Sequence, residues 1–575
     1  MRFEILERDG LARIGLLDID GALVRTPSLA FVESERVHAP EGALRLSRPL
    51  SSRKGDIRVS ASSFSPDHSS ADDRAHLRPG YRGSPYAGEP IKSDFAVLNN
   101  VAESLLDSEK FVASVAELKG GADLLRPTFC PVIGMPHRLA FLVYCGFDVL
   151  DSIPLVMSAE NDIYLTSTGP LAYHKIEELP CSCPACSSGR RGKAQLLQHN
   201  EFTATNELRL IRHSISEGNL RELVEARVRS EPWLVQNLRL LDFHHYDLEE
   251  AHAPITGARF HAGSKESLSR PDVVRWRKRL EQRYKRPQSA RILLLIPCSA
   301  RKPYSLSQSH MRFRQAIWNS GRASSVHEVI VTSPLGLVPR ELELFYPAKD
   351  YDIPVTGHWD RDEKMLIEEM VAWLLRTQKY DMVISHLGDE SETVNAVLTD
   401  FTDTSKGNPG SHMSLERLED ALRQLPGTDT TARGGRDLED MTSISRFQFG
   451  DAGDELCKGA TVSGRWPGLK IFKNGVQMGM LTGDRGMISL TLDGGAALAE
   501  TESYCVRIED FIPKGNLFVV GVENASDEIR VGDDVVVVHD HDLRAVGVAK
   551  MPAVEMKLAR RGEAVHVRHV LPSSP

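Results

Sequence analysis

The sequence predicts a multidomain protein of α/β folds that ends in a small all-β barrel. The chain has 575 residues, enough for roughly three to five domains. From Arg291 onward, short apolar stretches alternate with helical ones, which indicates βαβ units and a parallel sheet. From about Thr461 the pattern changes to paired strands joined by turns, among them an Asn-Gly turn, and this pattern favours a barrel.

The charge and the apolar stretches limit the partners of the chain. The net charge is −9, so a nucleic-acid partner requires a local basic patch. No apolar stretch approaches the roughly 18 residues that a membrane span needs. The N-terminus, "MRFEILERDGLARIG", lacks the apolar core of a signal peptide. We therefore expect a cytoplasmic protein.

The first region, to about Gly169, mixes β-like and helical stretches. The polar segment "SPDHSSADDRAHLRPGYRGSPYAGEP" predicts a loop. "PHRLAFLVYCGFDVLDSIPL" predicts a buried helix, a glycine turn and a strand, which is one α/β step of a layered or barrel fold. "TATNELRLIRHSISEGNLRELVEARV" predicts two helices separated at a Gly-Asn break.

A dense cysteine cluster precedes those two helices. Cys181, Cys183 and Cys186 form a Cys-x-Cys-x-x-Cys pattern, and His199 follows. Three thiolates and one imidazole fill a tetrahedral zinc shell and leave no open position, so the pattern predicts a structural zinc site. His213, on the following helix, is the alternative fourth ligand.

The stretch "RILLLIPCSARKPYSLSQSH" ends a predicted parallel strand in a set of reactive side chains. The carboxyl end of such a strand faces the crevice in which α/β sheets bind ligands. A single cysteine at a strand end is usually inert packing, but a solvated loop does not require a thiol, an amine, hydroxyls and an imidazole together. The candidate residues are Cys298, Ser299, Lys302, Tyr304, Ser307 and His310.

Two polar segments and the basic C-terminus complete the organisation. "TDTSKGNPGSH" and "LPGTDTTARGGRDLEDMTS" predict loops around one amphipathic helix. From Leu543 onward, six basic residues against two acidic ones form a basic patch, which is either a solvated face or an RNA-binding surface. The candidates for phosphate contacts are Lys550, Lys557, Arg560, Arg561 and Arg568.

The cysteine cluster with "LLQHNEFTATNELRLIRHSISEGNLRELVE", and "GFDVLDSI" before it, resemble archaeal tRNA-guanine transglycosylases. The resemblance implies a transglycosylase-like (β/α) barrel, His199 as the fourth zinc ligand, and Asp151 at the place of the catalytic nucleophile. The family's "SGGFQ"-like segment is missing from the first 150 residues. Asp151 is therefore either catalytic or a strand-end carboxylate that caps a neighbouring loop.

"PCSARKPYSLSQSH" resembles the motif of the archaeosine synthase branch of this superfamily, and "RGEAVHVRH" resembles a PUA domain, a small RNA-binding barrel. The resemblance implies addition of an amine, from lysine or possibly glutamine, to the nitrile of 7-cyano-7-deazaguanine at position 15 in the D-arm of tRNA. Cys298 would form a thioimidate, and Tyr304 or His310 would transfer protons. Asp350, Asp360 or Asp389 would hold a cationic donor; alternatively, the motif only binds that donor.

These patterns together predict five regions and a set of partners. We expect tRNA, free lysine or glutamine, structural Zn²⁺, a homodimer and a radical-SAM iron-sulfur enzyme that completes the product. A base-exchanging transglycosylase and a non-catalytic tRNA-binding partner are the alternative functions. The regions are a barrel with its zinc subdomain (1–265, the subdomain about 170–265), an α/β domain (285–400), a linker and helix (401–460), a small β domain (461–497) and a PUA domain (498–575).

Overall fold

A computed structural model describes ten segments of the chain: residues 1–33, 37–47, 57–59, 76–77, 94–98, 105–121, 124–354, 358–405, 407–424 and 433–572. It divides into two compact units, Met1–Ala253 and Pro254–Pro575. The polar segment predicted as a loop, residues 65–90, lies outside the described residues except for His76 and Leu77. Residues 425–432 of the second predicted loop also lie outside them.

The first unit contains a parallel sheet whose strands follow a cyclic order. Its strands pair in the order β7-β6-β5-β4-β10-β9-β8, so chain neighbours pair and β4 pairs with β10. Among the described residues no pairing joins β7 to β8. A (β/α) barrel has this cyclic order, and the predicted α/β class is confirmed. The strands, with an antiparallel sheet β1–β3 and a hairpin β11–β12, are β1 (Arg2–Asp9), β2 (Ala12–Ile19), β3 (Ala22–Thr26), β4 (Ser28–Val32), β5 (Arg45–Ser47), β6 (Ile57–Val59), β7 (His76–Leu77), β8 (Ala96–Val97), β9 (Thr128–Cys130), β10 (Val149–Asp151), β11 (Ile163–Thr166) and β12 (Gly169–Ala172).

The helices of the first unit confirm two local predictions. The buried helix, the turn at Gly146 and the strand before Asp151 follow one another as predicted. Gly218 has φ +69°, which glycine adopts without strain, and it ends one long helix before the next begins. The helices are α1 (Ser108–Gly120), α2 (Pro136–Tyr144), α3 (Ile153–Glu160), α4 (Pro184–Ser187), α5 (Lys193–Glu217), α6 (Leu220–Val228), α7 (Pro232–His244) and α8 (Tyr246–His252).

The second unit begins with a five-stranded sheet of order β16-β15-β14-β18-β19. The central strand β14 is parallel to both β15 and β18, while β16 is antiparallel, so the predicted parallel sheet is confirmed with one reversed strand. A separate short pair joins β13 to β17. The strands are β13 (Phe260–His261), β14 (Ile292–Pro297), β15 (Val326–Thr332), β16 (Gly336–Pro339), β17 (Tyr351–Asp352), β18 (Met382–Ser385) and β19 (Thr402–Asp403).

The helices around this sheet correct one prediction. Residues 433–443, predicted as a loop, form the first part of a 17-residue helix, α14. Met441, Ile444 and Phe447 recur every three residues and are buried, and this apolar stripe outweighs the polar composition. The helices are α9 (Pro271–Arg283), α10 (Gln308–Asn319), α11 (Arg361–Thr377), α12 (Ser391–Asn395), α13 (His412–Arg423), α14 (Arg433–Phe449) and α15 (Asp454–Cys457).

Two small β-sheets complete the second unit. The predicted Asn-Gly turn is confirmed, since Asn474 and Gly475 both have positive φ and join β21 to β22. A four-stranded sheet, β20–β23, precedes a six-stranded one, β24–β29. Their elements are β20 (Thr461–Ser463), β21 (Lys470–Lys473), β22 (Val476–Leu481), β23 (Ile488–Leu490), α16 (Leu492–Ala499), β24 (Cys505–Ile508), β25 (Leu517–Phe518), β26 (Val522–Ala525), β27 (Asp534–His539), β28 (Asp542–Ala549), α17 (Ala553–Met556) and β29 (Glu563–Val570).

One continuous hydrophobic core extends through the sheets of the second unit. Its buried members run from Ile255 to Val565. A Cβ atom at Gly486 would come within 1.9 Å of the carbonyl oxygen of Leu344, so the four-stranded sheet approaches the α/β domain backbone to backbone. None of the helices in the described part of the chain is long and apolar enough to cross a membrane.

Candidate functional site

The strand order of the central sheet of the second unit predicts a crevice at its carboxyl edge. The chain leaves β14 toward β15 on one side, and it leaves β18 toward β19 on the other. The loops after β14 and β18 therefore diverge, and α/β sheets bind their ligands at such a switch point. Cys298 is the first residue after β14, and the predicted reactive loop borders this crevice.

The thiol of Cys298 is half-buried and protonated at neutral pH. Burial, and after it the negative charge of Glu390, raise its pKa to about 11. The charge of Lys302 and a hydrogen bond with the side chain of Thr332 act in the opposite direction. Because the thiolate is the nucleophile, a reaction at this sulfur needs a base that accepts the proton.

Lys302 lies over two buried tyrosines beside this thiol. Its ammonium is 4.1 Å from the ring centre of Tyr351 and 5.7 Å from that of Tyr304. The two phenol groups share a hydrogen bond, and the Tyr351 hydroxyl bonds the hydroxyl of Thr332 at 2.6 Å. Burial lowers the pKa of Lys302 and raises that of Tyr304. The thiol thus adjoins one cation and a chain of neutral hydroxyls.

Ser307 and His310 hold the reactive loop in position. The Ser307 hydroxyl accepts the backbone N–H of His310 at 3.3 Å and caps α10. The Arg340 guanidinium donates to Nδ1 of His310 at 2.7 Å and to Glu343 at 2.9 Å. Because a guanidinium only donates, Nδ1 is an acceptor. Burial, and then Arg340, hold the pKa of His310 well below its usual value, so this fully buried imidazole is neutral.

Three further candidates occupy different surroundings. The Ser299 hydroxyl donates to the carbonyl of Arg301 at 3.0 Å, and its own carbonyl accepts the Lys302 ammonium at 3.3 Å. Burial raises the pKa of Asp350, which pairs with the adjacent Lys349. Asp360 is exposed and caps α11, where it accepts a backbone N–H at 3.0 Å. The capping role explains an aspartate at position 360 and requires no bound ligand.

Glu390 is a site residue that the sequence prediction missed. It lies in the loop after β18, five residues beyond the end of that strand, and its side chain is half-buried. Within the described residues its buried Oε2 atom has no hydrogen-bond partner. Burial, followed by the charge of Asp389, raises its pKa to about 7. The signal was present in "SHLGDES", an acidic group after a parallel strand. Thr332 and Tyr351, which lie in other strands, were also missed.

The predicted metal ligands form one cluster in the first unit. The ligand atoms of Cys181, Cys183, Cys186 and His199 all lie within 4.8 Å of one another. Nδ1 of His199 lies 3.3 Å from the Cys186 sulfur and 3.6 Å from the Cys183 sulfur. Three thiols and one imidazole in this arrangement fit a tetrahedral metal ion and leave no position for water.

Neighbouring groups fix the orientation of these ligands. Nε2 of His199 lies 2.9 Å from the carbonyl oxygen of Leu165, which directs Nδ1 toward the thiols. The ring of Tyr164 stacks on the imidazole at 3.7 Å, and its hydroxyl lies 3.4 Å from the Cys186 sulfur. His213, the alternative ligand, is exposed and outside the cluster. The structure therefore favours His199 over His213 as the fourth ligand.

Asp151 ends a strand of the first unit with both carboxylate oxygens engaged. One oxygen accepts the backbone N–H of Val132 at 2.8 Å and the other that of Ile153 at 2.9 Å. The side chain is 1% exposed. Burial raises the pKa of Asp151 to about 6 although both hydrogen bonds lower it. This is the geometry of a carboxylate that caps a loop, which was the alternative to catalysis.

The basic candidates of the C-terminal barrel differ in their surroundings. Lys550, Arg560 and Arg561 are exposed. Lys557 pairs with Asp527, an exposed ion pair. Arg568 is partly buried; it bonds Asp534 and donates to the Ser489 hydroxyl at 2.5 Å. Arg568 therefore joins the barrel to the four-stranded sheet and presents less of its charge to solvent.

Family models match three parts of the chain. Queuine tRNA-ribosyltransferase matches residues 91–232, a domain of unknown function (DUF5591) matches residues 273–422, and the PUA domain matches residues 507–571. The first match covers the metal cluster, and the second covers the crevice with Cys298 and Glu390. These matches define the class of the chain as a transglycosylase-related tRNA-modifying protein with a PUA domain.

Similar proteins specify the family within that class. The chain is 35% identical to archaeosine synthase subunit alpha of Methanosarcina acetivorans, over 84% of this chain and 80% of that protein. It is 31% identical to archaeosine synthase of Haloferax volcanii, over 99% of both. A tRNA-guanine(15) transglycosylase of Methanobrevibacter smithii is 27% identical, over 76% of this chain and 65% of that protein. The chain belongs to the archaeosine synthase family.

Proposed function

We propose that this chain modifies tRNA in archaeosine biosynthesis by adding an amine to the nitrile of 7-cyano-7-deazaguanine at position 15. Family membership supports the pathway. The observation that carries the chemistry is the group of Cys298, Lys302 and Tyr304 beside the crevice of the second unit. A base-exchanging enzyme needs a reactive carboxylate in the first unit, whereas Asp151 has both oxygens engaged there.

The reaction balances in two steps with Cys298 as nucleophile. In the first, the sulfur bonds to the nitrile carbon, one carbon–nitrogen π bond breaks, and the thiol proton ends on the nitrile nitrogen. The product is a thioimidate. In the second, the donor amine bonds to the same carbon, the carbon–sulfur bond breaks, and one amine proton returns to the sulfur. The RNA then carries an amidine, and the enzyme is restored.

The donor is lysine, with glutamine-derived nitrogen as the alternative. A cationic donor needs an acidic group near the crevice. Asp350 adjoins Tyr351 and is partly buried, so it suits this role better than Asp360, whose carboxylate caps α11. The ammonium of Lys302, beside Ser299, suits an acceptor group on the donor or the RNA. Lysine carries both kinds of charged group, which favours it as donor.

Transfer RNA is the partner that the PUA domain and the family support. Exposed Lys550, Arg560 and Arg561 are the candidates for phosphate contacts, and Lys557 would join them by leaving its ion pair with Asp527. Such contacts carry affinity that falls steeply with salt. They give no sequence readout, so recognition rests on the shape of the folded RNA.

The metal of the cysteine cluster is proposed to be Zn²⁺ with a structural role. Three thiolates and one imidazole suit zinc, and a closed shell excludes activation of water. The four ligands would bind the segment before α4 to the start of α5. A homodimer and a radical-SAM iron-sulfur enzyme that completes the product remain predictions.

A transfer assay tests the proposal. Purified chain is incubated with tRNA that carries the nitrile base at position 15 and with ¹⁴C-lysine; the expected result is label in the RNA and no release of free base. Transfer RNA with guanine at that position is the control and should take up no label. Released base with no label would support the transglycosylase alternative. Absence of both reactions, with labelled lysine and equally with labelled glutamine, would support a non-catalytic tRNA-binding role and overturn the proposal.

The RNA surface is tested in the same assay. The double variant Arg560→Ala/Arg561→Ala should raise KM for tRNA about tenfold with kcat unchanged, and should lower the slope of log KM against log salt by about 2. An unchanged KM would place the RNA surface elsewhere.

A further inference from the structure

Glu390 and Cys298 follow neighbouring parallel strands at the same edge of the sheet. Strands β14 and β18 are in register, with Leu295 opposite Ser385. Cys298 comes three residues after Leu295, and Glu390 comes five residues after Ser385, in the turn that leads into α12. Since both loops leave the same edge and diverge, their side chains border one crevice.

One oxygen of the Glu390 carboxylate could accept a hydrogen bond that the fold does not supply. Its buried Oε2 atom accepts no hydrogen bond from the described residues. An unsatisfied buried oxygen of a charged group costs free energy, on the order of 1–3 kcal/mol, so a chain that needs only stability gains by replacing it. Asp151, which also ends a parallel strand, has both oxygens satisfied. Glu390 therefore has an oxygen available for a substrate or a proton.

The electrostatics couple this carboxylate to the thiol. The charge of Glu390 is the second-largest cause, after burial, of the raised pKa of Cys298. Burial and the neighbouring Asp389 raise the pKa of Glu390 itself to about 7. The charge of Lys302, from the reactive loop, acts in the opposite direction and lowers the thiol pKa. A base with a pKa near the working pH is efficient in proton transfer.

We propose that Glu390 is the proton-transfer residue of the Cys298 reaction. Its carboxylate accepts the thiol proton as the sulfur bonds to the nitrile carbon, and the resulting carboxylic acid delivers that proton to the nitrile nitrogen. In the second step the carboxylate accepts a proton from the attacking amine and returns it to the departing sulfur. No external oxidant, reductant or metal is needed. This assignment rests on the function proposed above.

The alternative proton carriers fit this task less well. His310 is fully buried, neutral and bonded to Arg340 through Nδ1, and Tyr304 is fully buried with a raised pKa. Both groups hold the loop, and neither changes protonation state near neutrality. Among the titratable groups that act on Cys298, Glu390 is the one with a pKa near 7.

The test measures formation of the thioimidate alone. Excess enzyme is mixed with nitrile-bearing tRNA without donor, quenched in acid and scored as a protein–RNA adduct. Glu390→Gln should form the adduct about 100-fold more slowly than the wild type, within the range for loss of a general acid–base residue, about 10²–10⁴. The wild-type rate should rise with pH through about 7, because the base must be ionised, and the variant should lose this dependence. Glu392→Gln, which removes an exposed acid two residues away, is the matched control and should match the wild type.

A second measurement separates chemistry from structural damage. Removing the charge of Glu390 lowers the pKa of Cys298, so iodoacetamide should alkylate Cys298 faster in Glu390→Gln than in the wild type at pH 8, as read by peptide mapping. Faster alkylation together with slower adduct formation supports the proposal, and damage to the crevice would not produce this opposite pair.

The two measurements distinguish failure of the Glu390 assignment from failure of the proposed function. Wild-type adduct formation and label transfer with an equally fast Glu390→Gln variant would overturn the role of Glu390 and leave the proposed function intact. Label transfer without any wild-type adduct would overturn the role of Glu390 in a thioimidate route and leave amine addition intact. Neither adduct nor transfer in the wild type would overturn both proposals. A variant that alkylates at the wild-type rate and forms adduct slowly would show structural damage and count against the assignment.

Discussion

The two units each end a parallel strand in a side chain that the sequence marks as reactive, but their surroundings differ. In the first unit, both oxygens of Asp151 accept backbone N–H groups, and 1% of the side chain is exposed. In the second, Cys298 is half-buried beside a cation, and the nearby Glu390 keeps an oxygen without a partner among the described residues. Position at a strand end is therefore not enough to identify a reactive group. Whether its polar atoms are already satisfied decides between stability and chemistry.

The strongest test of this contrast replaces the thiol. Cys298→Ser should lower amine transfer by on the order of 10³-fold or more, because a hydroxyl is a far weaker nucleophile and the residue acts together with its base. Transfer of labelled lysine to nitrile-bearing tRNA measures it. The melting temperature should change little, since serine has the same shape as cysteine and the side chain is only half-buried. Undiminished transfer would exclude the thioimidate and favour a loop that only binds the donor.

In the first unit, the largest expected effect is on stability and arises at the metal cluster. Cys183→Ser should release the metal and destabilise that unit by several kcal/mol, because structural zinc sites bind with about 10–16 kcal/mol. Metal analysis and thermal unfolding measure this. Ser182→Ala, an exposed neighbour, is the control and should retain the metal.

Metal exchange then separates support from catalysis at this cluster. Co²⁺ in place of Zn²⁺ should leave amine transfer within about twofold, because four protein ligands leave no position for a reacting group. A tenfold change in kcat on this exchange would contradict a structural role.

The smallest effect on turnover is expected at Asp151. Asp151→Asn should leave amine transfer within about twofold, and a large loss would end the contrast between the two units. The effect on stability depends on pH. The pKa of Asp151 is about 6 in the folded chain against 3.8 ordinarily. Between about pH 4 and 6 the folded state keeps a proton that the unfolded state has lost, so this contribution to stability is complete below pH 4 and is lost as pH rises through 6.

The amide variant measures that contribution directly. Asn does not titrate, so the free energy of unfolding of Asp151→Asn, relative to the wild type, should improve by about 2 kcal/mol from pH 4 to pH 7. Urea unfolding at the two pH values measures it. A difference that does not change with pH would show that the carboxylate ionises normally.

Local pattern and motif resemblance predicted much of the fold. The helix, turn and strand before Asp151, the glycine break at Gly218 and the Asn474-Gly475 turn each depend on neighbouring residues, so a single sequence reveals them. Helix α14 was missed because its polar composition hides a narrow apolar stripe, whose value depends on the sheet against which it packs. Local patterns therefore fail where tertiary packing decides.

The parts of the candidate site that are contiguous in the sequence were predicted better than the residues that other strands contribute. The cysteine cluster and the reactive loop are contiguous, and the structure brings the four metal ligands together. Glu390 and Thr332 reach the thiol from other strands, and only the pairing of β14 with β15 and β18 brings them there. His310 was expected to carry protons because imidazole usually titrates near neutrality, but burial and Arg340 keep it neutral.

The continuous core of the second unit limits which RNA molecules can be modified. Arg485 and Arg568 both bond the buried Asp534, and Gly486 lies against the backbone of Leu344, so the terminal barrel and the crevice sheet belong to one packed body. The distance between the proposed docking surface and the thiol is then a property of the protein and not of the RNA. We therefore expect an RNA whose stem is one base pair longer or shorter to bind the docking surface with similar affinity but to be modified more slowly, because its target base then lies at a different distance from the thiol.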